Sequence, residues 1–215
     1  MATKVIKAKF SDSRDAFLVS YCNQKSVLHI GAADYPYMEH KFNEGRLLHT
    51  KLKCSKLVAV DTSPEGCGFL EQKGFECHLA FDSLNSDAFD IVLVPEVVEH
   101  LTNYSELLQS LAEKFPKSEM VITTPNPFSI KRTLEAYLGY ERYHPDHLSY
   151  ISYTNLSTAL DRMGFEIKDV IGTFLPRVKI TKKIRFSKWI ARYKPLLSDN
   201  LIYICGEKKY EDNSY

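Results

Sequence analysis

Short apolar runs of strand length alternate along this chain with segments of helical period. The strand-like runs fall at 26–30, 56–60, 77–80, 89–94, 120–123, 166–174 and 200–206. Between them lie segments such as Tyr104, Leu107, Leu108 and Leu111, spaced as one helix face requires. Parallel strands need crossovers long enough for a helix, so the alternation specifies an α/β fold with a mostly parallel sheet. Further helices are expected over 12–22 and 38–54, from Leu156 to a stop at Gly164, and from Ser63 to a stop at Gly74. Ser63-Pro64-Glu65 supplies a hydroxyl cap, a proline at the first helical position and an acid in the first turn. Asn103 with Glu106 resembles a capping box. The prolines in Thr124-Pro125-Asn126-Pro127 are expected to break the fifth strand.

At 215 residues the chain reads as one domain, 1–215. With 44% apolar and 26% charged residues it is globular in composition. No apolar run reaches membrane-spanning length, and the N-terminus shows no secretory block. A net charge of +1 argues against a nucleic-acid partner. The five cysteines lack C-x-x-C spacing and are read as reduced thiols of a cytoplasmic protein. Eight bases and no acid lie between Asp169 and Asp199. Within that stretch Phe186, Trp189, Ile190 and Tyr193 fall at i, i+3, i+4 and i+7, predicting an amphipathic helix over 183–194. Such a helix can contact an anionic membrane or glycolipid through 182–194, or cover the sheet with a solvated basic face.

In open α/β sheets ligands bind beyond the carboxyl ends of the strands. Those ends here carry Gly31-Ala-Ala-Asp34, Asp61, Asp82, Pro95-Glu96 followed by Glu99-His100, and Thr124-Pro-Asn126. An acid ending the second strand can accept hydrogen bonds from ribose hydroxyls, and one after the third can accept from an adenine amine.

With these residues the chain resembles class I S-adenosylmethionine-dependent methyltransferases, in particular the small-molecule branch found among sugar- and polysaccharide-modifying enzymes. The resemblance rests on Val27-Leu-His-Ile-Gly31, Val58-Ala-Val-Asp61, Phe89-Asp-Ile-Val-Leu-Val-Pro-Glu96-Val-Val-Glu99-His100-Leu, Ile122-Thr-Thr-Pro-Asn-Pro127 and His147-Leu-Ser-Tyr150. It implies a Rossmann-like, seven-stranded, mostly parallel sheet with an antiparallel last strand and helices on both faces. It implies S-adenosylmethionine near His29, Gly31, Ala33 and Pro95, with ribose on Asp61 and adenine near Asp82. His29 stands where the family carries an acid, and Ala33 and Tyr35 where it carries glycines; Asp34 is the carboxylate closest in sequence that could stand in.

For a hydroxyl acceptor the catalytic candidates are His100 and His147, because imidazole titrates near working pH. Glu96, Asn126, Tyr143 and His144 are the expected substrate contacts, with residues 127–153 as an aromatic lid over a small-molecule substrate. His144-x-x-His147 has no fixed third ligand, so no metal is expected. The expected function is methyl transfer to a hydroxyl or amine of a sugar or glycolipid intermediate; the alternative is a catalytically impaired binding module. Gly31-Ala-Ala-Asp-Tyr-Pro36 lacks the G-x-G-x-x-G of a nicotinamide dehydrogenase.

Overall fold

The computed structural model describes residues 6–142, 144–175 and 181–207. Along the chain run β1 (Lys9–Phe10), α1 (Arg14–Tyr21), β2 (Ser26–Ile30), α2 (Met38–Asn43), β3 (Lys56–Val60), α3 (Pro64–Gln72), β4 (Glu76–His78) and β5 (Ile91–Pro95). Then follow α4 (Tyr104–Lys114), β6 (Glu119–Pro125), α5 (Ile130–Tyr137), α6 (Tyr153–Arg162), β7 (Phe165–Thr173), α7 (Lys182–Tyr193) and β8 (Asn200–Glu207). The strands form one sheet in the order β1-β7-β8-β6-β5-β2-β3-β4. Every pairing is parallel except those of β8, which runs antiparallel to both β6 and β7. An eighth strand is added to the expected seven by β1, too short at two residues to show a period.

Both sheet faces are covered, which explains the unbroken apolar strands. Leu28, Ile30, Val92, Val94, Met120, Ile122 and Tyr203 point to one side, against Leu108 and Leu111 of α4 and Leu156 and Leu160 of α6. The alternate residues Val27, Ile91, Leu93, Val121 and Ile202 meet Leu18 of α1. Among the described residues no helix is long and apolar enough to cross a membrane.

Several expectations change. The 38–54 helix is two pieces: α2 ends near Gly45, whose φ of +62° stops it, and a 3-10 turn follows at His49–Lys51. Strand β6 continues through Pro125, because Thr124 and Pro125 pair with Leu201 and Asn200 of β8 and a proline ending a strand removes no interior ladder bond. Asn103 makes no side-chain cap bond, so the capping box does not form. Ser63 does cap α3, accepting from the Gly66 N–H at 3.0 Å. Cys67 and Cys77 are not both free thiols. The turn from α3 into β4 brings their Cα atoms to 5.3 Å and they pair as a disulfide, whereas Cys22, Cys54 and Cys205 are free.

Of the two arrangements open to α7, covering the sheet through its aromatic row is not the one adopted. Ile184, Ser187, Lys188 and Ala191 face inward, while Phe186, Trp189 and Tyr193 stand 59%, 58% and 73% exposed. The basic side is tied down instead: Lys188 donates to the Asp12 carbonyl at 2.6 Å, and Arg192 pairs with the Asp12 carboxylate at 3.1 Å. Small residues at 187 and 191 permit the close approach that an aromatic row would block. Arg177 and Lys179 of the basic stretch lie outside the described residues.

Candidate functional site

The carboxyl ends of β2 to β6 converge on one rim. At β2, Gly31 turns the chain at φ +68°, and a Cβ there would meet Val97 Cγ2 at 2.6 Å. The following loop is fastened to β3. Asp61 Oδ2 accepts the Ala33 N–H at 2.9 Å and Oδ1 accepts the Ser63 N–H at 3.0 Å. Each oxygen keeps a second lone pair, so the carboxylate is fixed in place and still able to accept from a vicinal diol. Asp82, after β4, is exposed; its carbonyl accepts from Lys114 at 2.6 Å, and its carboxylate has no polar partner among the described residues.

His29 does not reach the rim. It is 2% exposed, with Nδ1 3.0 Å from Nδ1 of the equally buried His49. Burial, then the neighbouring His49 and Arg14, push its pKa well below the usual value, so the ring is neutral. Nor does Tyr35 pack into the rim, being 52% exposed. Asp34 lies at φ +62° and is paired with Lys41.

At the end of β5, Pro95 sits opposite Thr123 of β6. Glu96 then adopts φ +54°, a left-handed conformation uncommon outside glycine. Its Oε1 accepts from Thr123 Oγ1 at 2.9 Å and from Asn200 Nδ2 at 2.7 Å, with Arg14 Nη1 at 3.7 Å. Arg14 also grips Asp15 at 2.8 Å, and Lys51 reaches Asp15 at 2.9 Å. Burial opposes the charge on Arg14, but Glu96 and Asp15 outweigh it and its pKa is raised. Arg14, Asp15 and Asn200 carried no sequence signal, because α1 and β8 reach β5 only through the sheet order.

Beside this brace lies a histidine cluster. Glu99 is 1% exposed and, among the described residues, neither carboxyl oxygen completes a hydrogen bond, with the Thr124 hydroxyl beside it. Burial, then the Glu96 carboxylate, push its pKa up to about 9. His100 Nδ1 lies 2.9 Å from the Asp146 carbonyl. A carbonyl only accepts, so Nδ1 carries the proton and Nε2 presents a lone pair. His147 stacks edge-on against His100 at 4.7 Å between ring centroids, with His144 4.9 Å from His147. Its Nδ1 is buried without a partner among the described residues, and burial followed by His100, His144 and Arg132 lowers its pKa to about 4. The loop is clipped to β5's exit: Leu148 N–H and Ser149 N–H donate to the Glu99 carbonyl at 2.8 and 3.2 Å. Glu99 was missed as a member because its contact with 147 is tertiary.

Asn126 has a different task. Its amide donates to the Leu196 and Ser198 carbonyls at 2.7 and 2.8 Å and its oxygen accepts the Phe128 N–H at 3.0 Å, so it fastens the segment before β8. Tyr143 lies outside the described residues. Within 127–153 the structure adds α5, capped by Ser129 at 3.3 Å. Its flank lines a cleft of about 440 Å³ with Arg132, Glu135, Tyr140, Glu141 and Tyr150. Arg132 Nη1 and Arg142 Nε lie 3.6 and 3.7 Å from the buried Glu135 carboxylate.

The rim fits the nucleoside implied by the resemblance at its sugar end, through Asp61, with Asp82 free for a base amine. At the methionine end His29 offers nothing, and the carboxylates present are Asp34 and Glu96.

A family model described as "Methyltransferase domain" matches residues 21–170. No curated protein sequence matches the chain. Among solved structures, magnesium protoporphyrin IX methyltransferase from Synechocystis PCC 6803 with bound SAH is similar at 15% identity and a TM-score of 0.52, over 91% of this chain and 80% of that one. A possible histamine N-methyltransferase from Thermotoga maritima is similar at 13% identity and 0.56, over 91% and 87%. A type 11 methyltransferase from Sulfolobus solfataricus reaches 0.57 at 8% identity, over 95% and 97%. At such identities the likeness is one of fold.

Proposed function

We infer, on the premise that this chain belongs to the methyltransferase-domain family, that it methylates a hydroxyl or amine of a small molecule, with a sugar or glycolipid intermediate as the acceptor class. It is an enzyme, and its methyl donor is S-adenosylmethionine. When bound, that donor supplies a methyl group already activated by a sulfonium. The protein's contribution is therefore positioning and management of the acceptor's proton. Asp61 holds the sugar of the donor and Asp82 its base, while Glu96, braced by Asn200 and Arg14, sets the negative charge at the amino-acid end.

The observation that carries the acceptor assignment is the convergence of Glu99, His100, His144 and His147 beside the β5 exit. Nε2 of His100 faces no protein donor among the described residues and can take a hydroxyl proton. With a pKa near 4, His147 is too weak a base for that step and serves by orientation. The neighbouring cleft is lined by Tyr140 and Tyr150, each with an arginine over one ring face, beside Glu135, a mixture suited to a polar ring. Residues 127–153 act as its cover within a single domain.

Calorimetry with S-adenosylhomocysteine tests the reading. The chain should bind it saturably. Asp82→Ala, which removes no side-chain hydrogen bond or ion pair among the described residues, should weaken binding by about 1 kcal/mol, and Asp61→Ala by about 1–3 kcal/mol. No binding at millimolar ligand overturns the proposal.

A peripheral membrane contact is also proposed for α7. The outward row of Phe186, Trp189 and Tyr193, its neighbouring rings 6.1 and 5.8 Å apart, is an aromatic face without a covering element among the described residues. Basic residues around it favour an anionic surface.

A further inference from the structure

We propose that Glu99, His100 and His147 form a binding site for one divalent cation of the manganese-to-zinc series, placed to hold the oxygen of the methyl acceptor. The inference rests on reading this cluster as the acceptor side, and it specifies how the hydroxyl is activated there.

One ligand atom from each of the three residues lies within 4.8 Å of the others. Metal–nitrogen and metal–oxygen bonds of about 2.0–2.2 Å put neighbouring ligands about 3–3.5 Å apart, so a contraction of about an ångström closes the set. Three independent features point the same way. First, both Glu99 oxygens are buried and, among the described residues, neither completes a hydrogen bond, although the Thr124 hydroxyl lies beside them. Buried polar atoms are nearly always satisfied, and a buried carboxylate needs a cation or a proton to offset its lost hydration. Second, the Nδ1–H of His100 is held by the Asp146 carbonyl. Backing of this kind fixes the tautomer and aims Nε2 in metal-ligating histidines. Third, the Nδ1 of His147 is a further buried atom without a partner among the described residues. His147 is attached to Glu99 through the main chain, by the bonds from Leu148 and Ser149, so the ligands are held together before any ion arrives.

Two imidazoles and one carboxylate make a borderline donor set, which favours manganese, iron, cobalt or zinc over magnesium or calcium. Three protein ligands leave coordination positions open, as in catalytic rather than structural sites. An acceptor hydroxyl entering an open position has its pKa lowered by the cation. The hydroxyl proton passes to water, the oxygen's electron pair forms the bond to the methyl carbon, and the sulfur–carbon pair returns to sulfur. Here His100 and His147 hold the ion, and the histidine proton transfer described above is replaced by release from the bound hydroxyl.

The test uses the full chain after dialysis against a chelator. Titration with cobalt(II), followed by visible absorption, and with manganese(II), followed by calorimetry, should show one site per chain. Glu99→Gln and His147→Ala should each weaken it by about 10- to 100-fold or more. S-adenosylhomocysteine binding, measured on the same samples, should be unchanged in both variants. If the wild-type chain binds the nucleoside but no cation at about millimolar concentration, or if Glu99→Gln binds cations as tightly as wild type, the metal site is overturned and the methyltransferase reading stands. In that case the neighbouring Thr124 hydroxyl is the partner of the buried Glu99 carboxyl. Loss of nucleoside binding by the wild type instead overturns the reading on which the inference rests.

Discussion

Gly31 shows how much one residue fixes. Its φ of +68° favours glycine, and Val97 Cγ2 occupies the space a Cβ would need. Gly31→Ala should therefore cost about 1–2 kcal/mol for the left-handed backbone, plus the clash, read as a lower urea midpoint with an unchanged slope. Adding Val97→Ala should recover the clash and leave the conformational cost, which a double-mutant cycle separates. That Gly31 turns the chain after β2 and that Asp61 ends β3 was legible, because both follow directly from a strand and need no tertiary knowledge. His29 was not: its place in the family's motif suggested a ligand contact, whereas a partner twenty positions away, His49, pulls it into the interior. Asn126 was misread for the same reason, its amide being saturated by main chain from 196 and 198.

At the scale of elements, period gave the strands and most helices but not their facing. Helix α7 has the spacing of an amphipathic helix, and apolarity alone assigns its aromatic row to the interior. Packing prefers Ser187 and Ala191 there, while Lys188 and the exposed Arg192 reach the Asp12 carbonyl and carboxylate at the helix flank. The outward aromatics then predict a measurable property. The chain should co-sediment with vesicles containing anionic phospholipid, less so with neutral ones. Phe186→Ser with Trp189→Ser should abolish this without shifting the thermal midpoint by more than a degree or two. Equal sedimentation of wild type and variant would remove α7 from any membrane role. Helix α5 was illegible because it sits among turn-forming residues, and two turns of helix carry little period.

Across the whole molecule the His29–His49 pair links stability to pH. Both rings are buried and neutral in the folded chain, His49 with its pKa lowered by burial to about 4. In the unfolded chain they titrate near 6.5. Between those values the unfolded state binds more protons, so stability is full above about pH 6.5 and falls as pH drops toward 4. The shift on His49 alone corresponds to about 3 kcal/mol. Thermal unfolding from pH 7.5 to 4.5 should show this decline, and His49→Gln should flatten it; an unaltered slope would reassign the acid sensitivity to other groups. The sheet order itself was beyond what local patterns reveal, since β8 enters between β6 and β7 rather than at an edge.

That insertion has a consequence for how the chain is made. Among the described strands, the one that fills the gap between β6 and β7 is synthesised after all the others, and it carries Asn200, the residue that steadies Glu96. While a ribosome is still translating residues before 200, the growing polypeptide has a slot in the middle of its sheet and two unfinished edges. The Asn200 bond to Glu96 can form only after residue 200 has emerged.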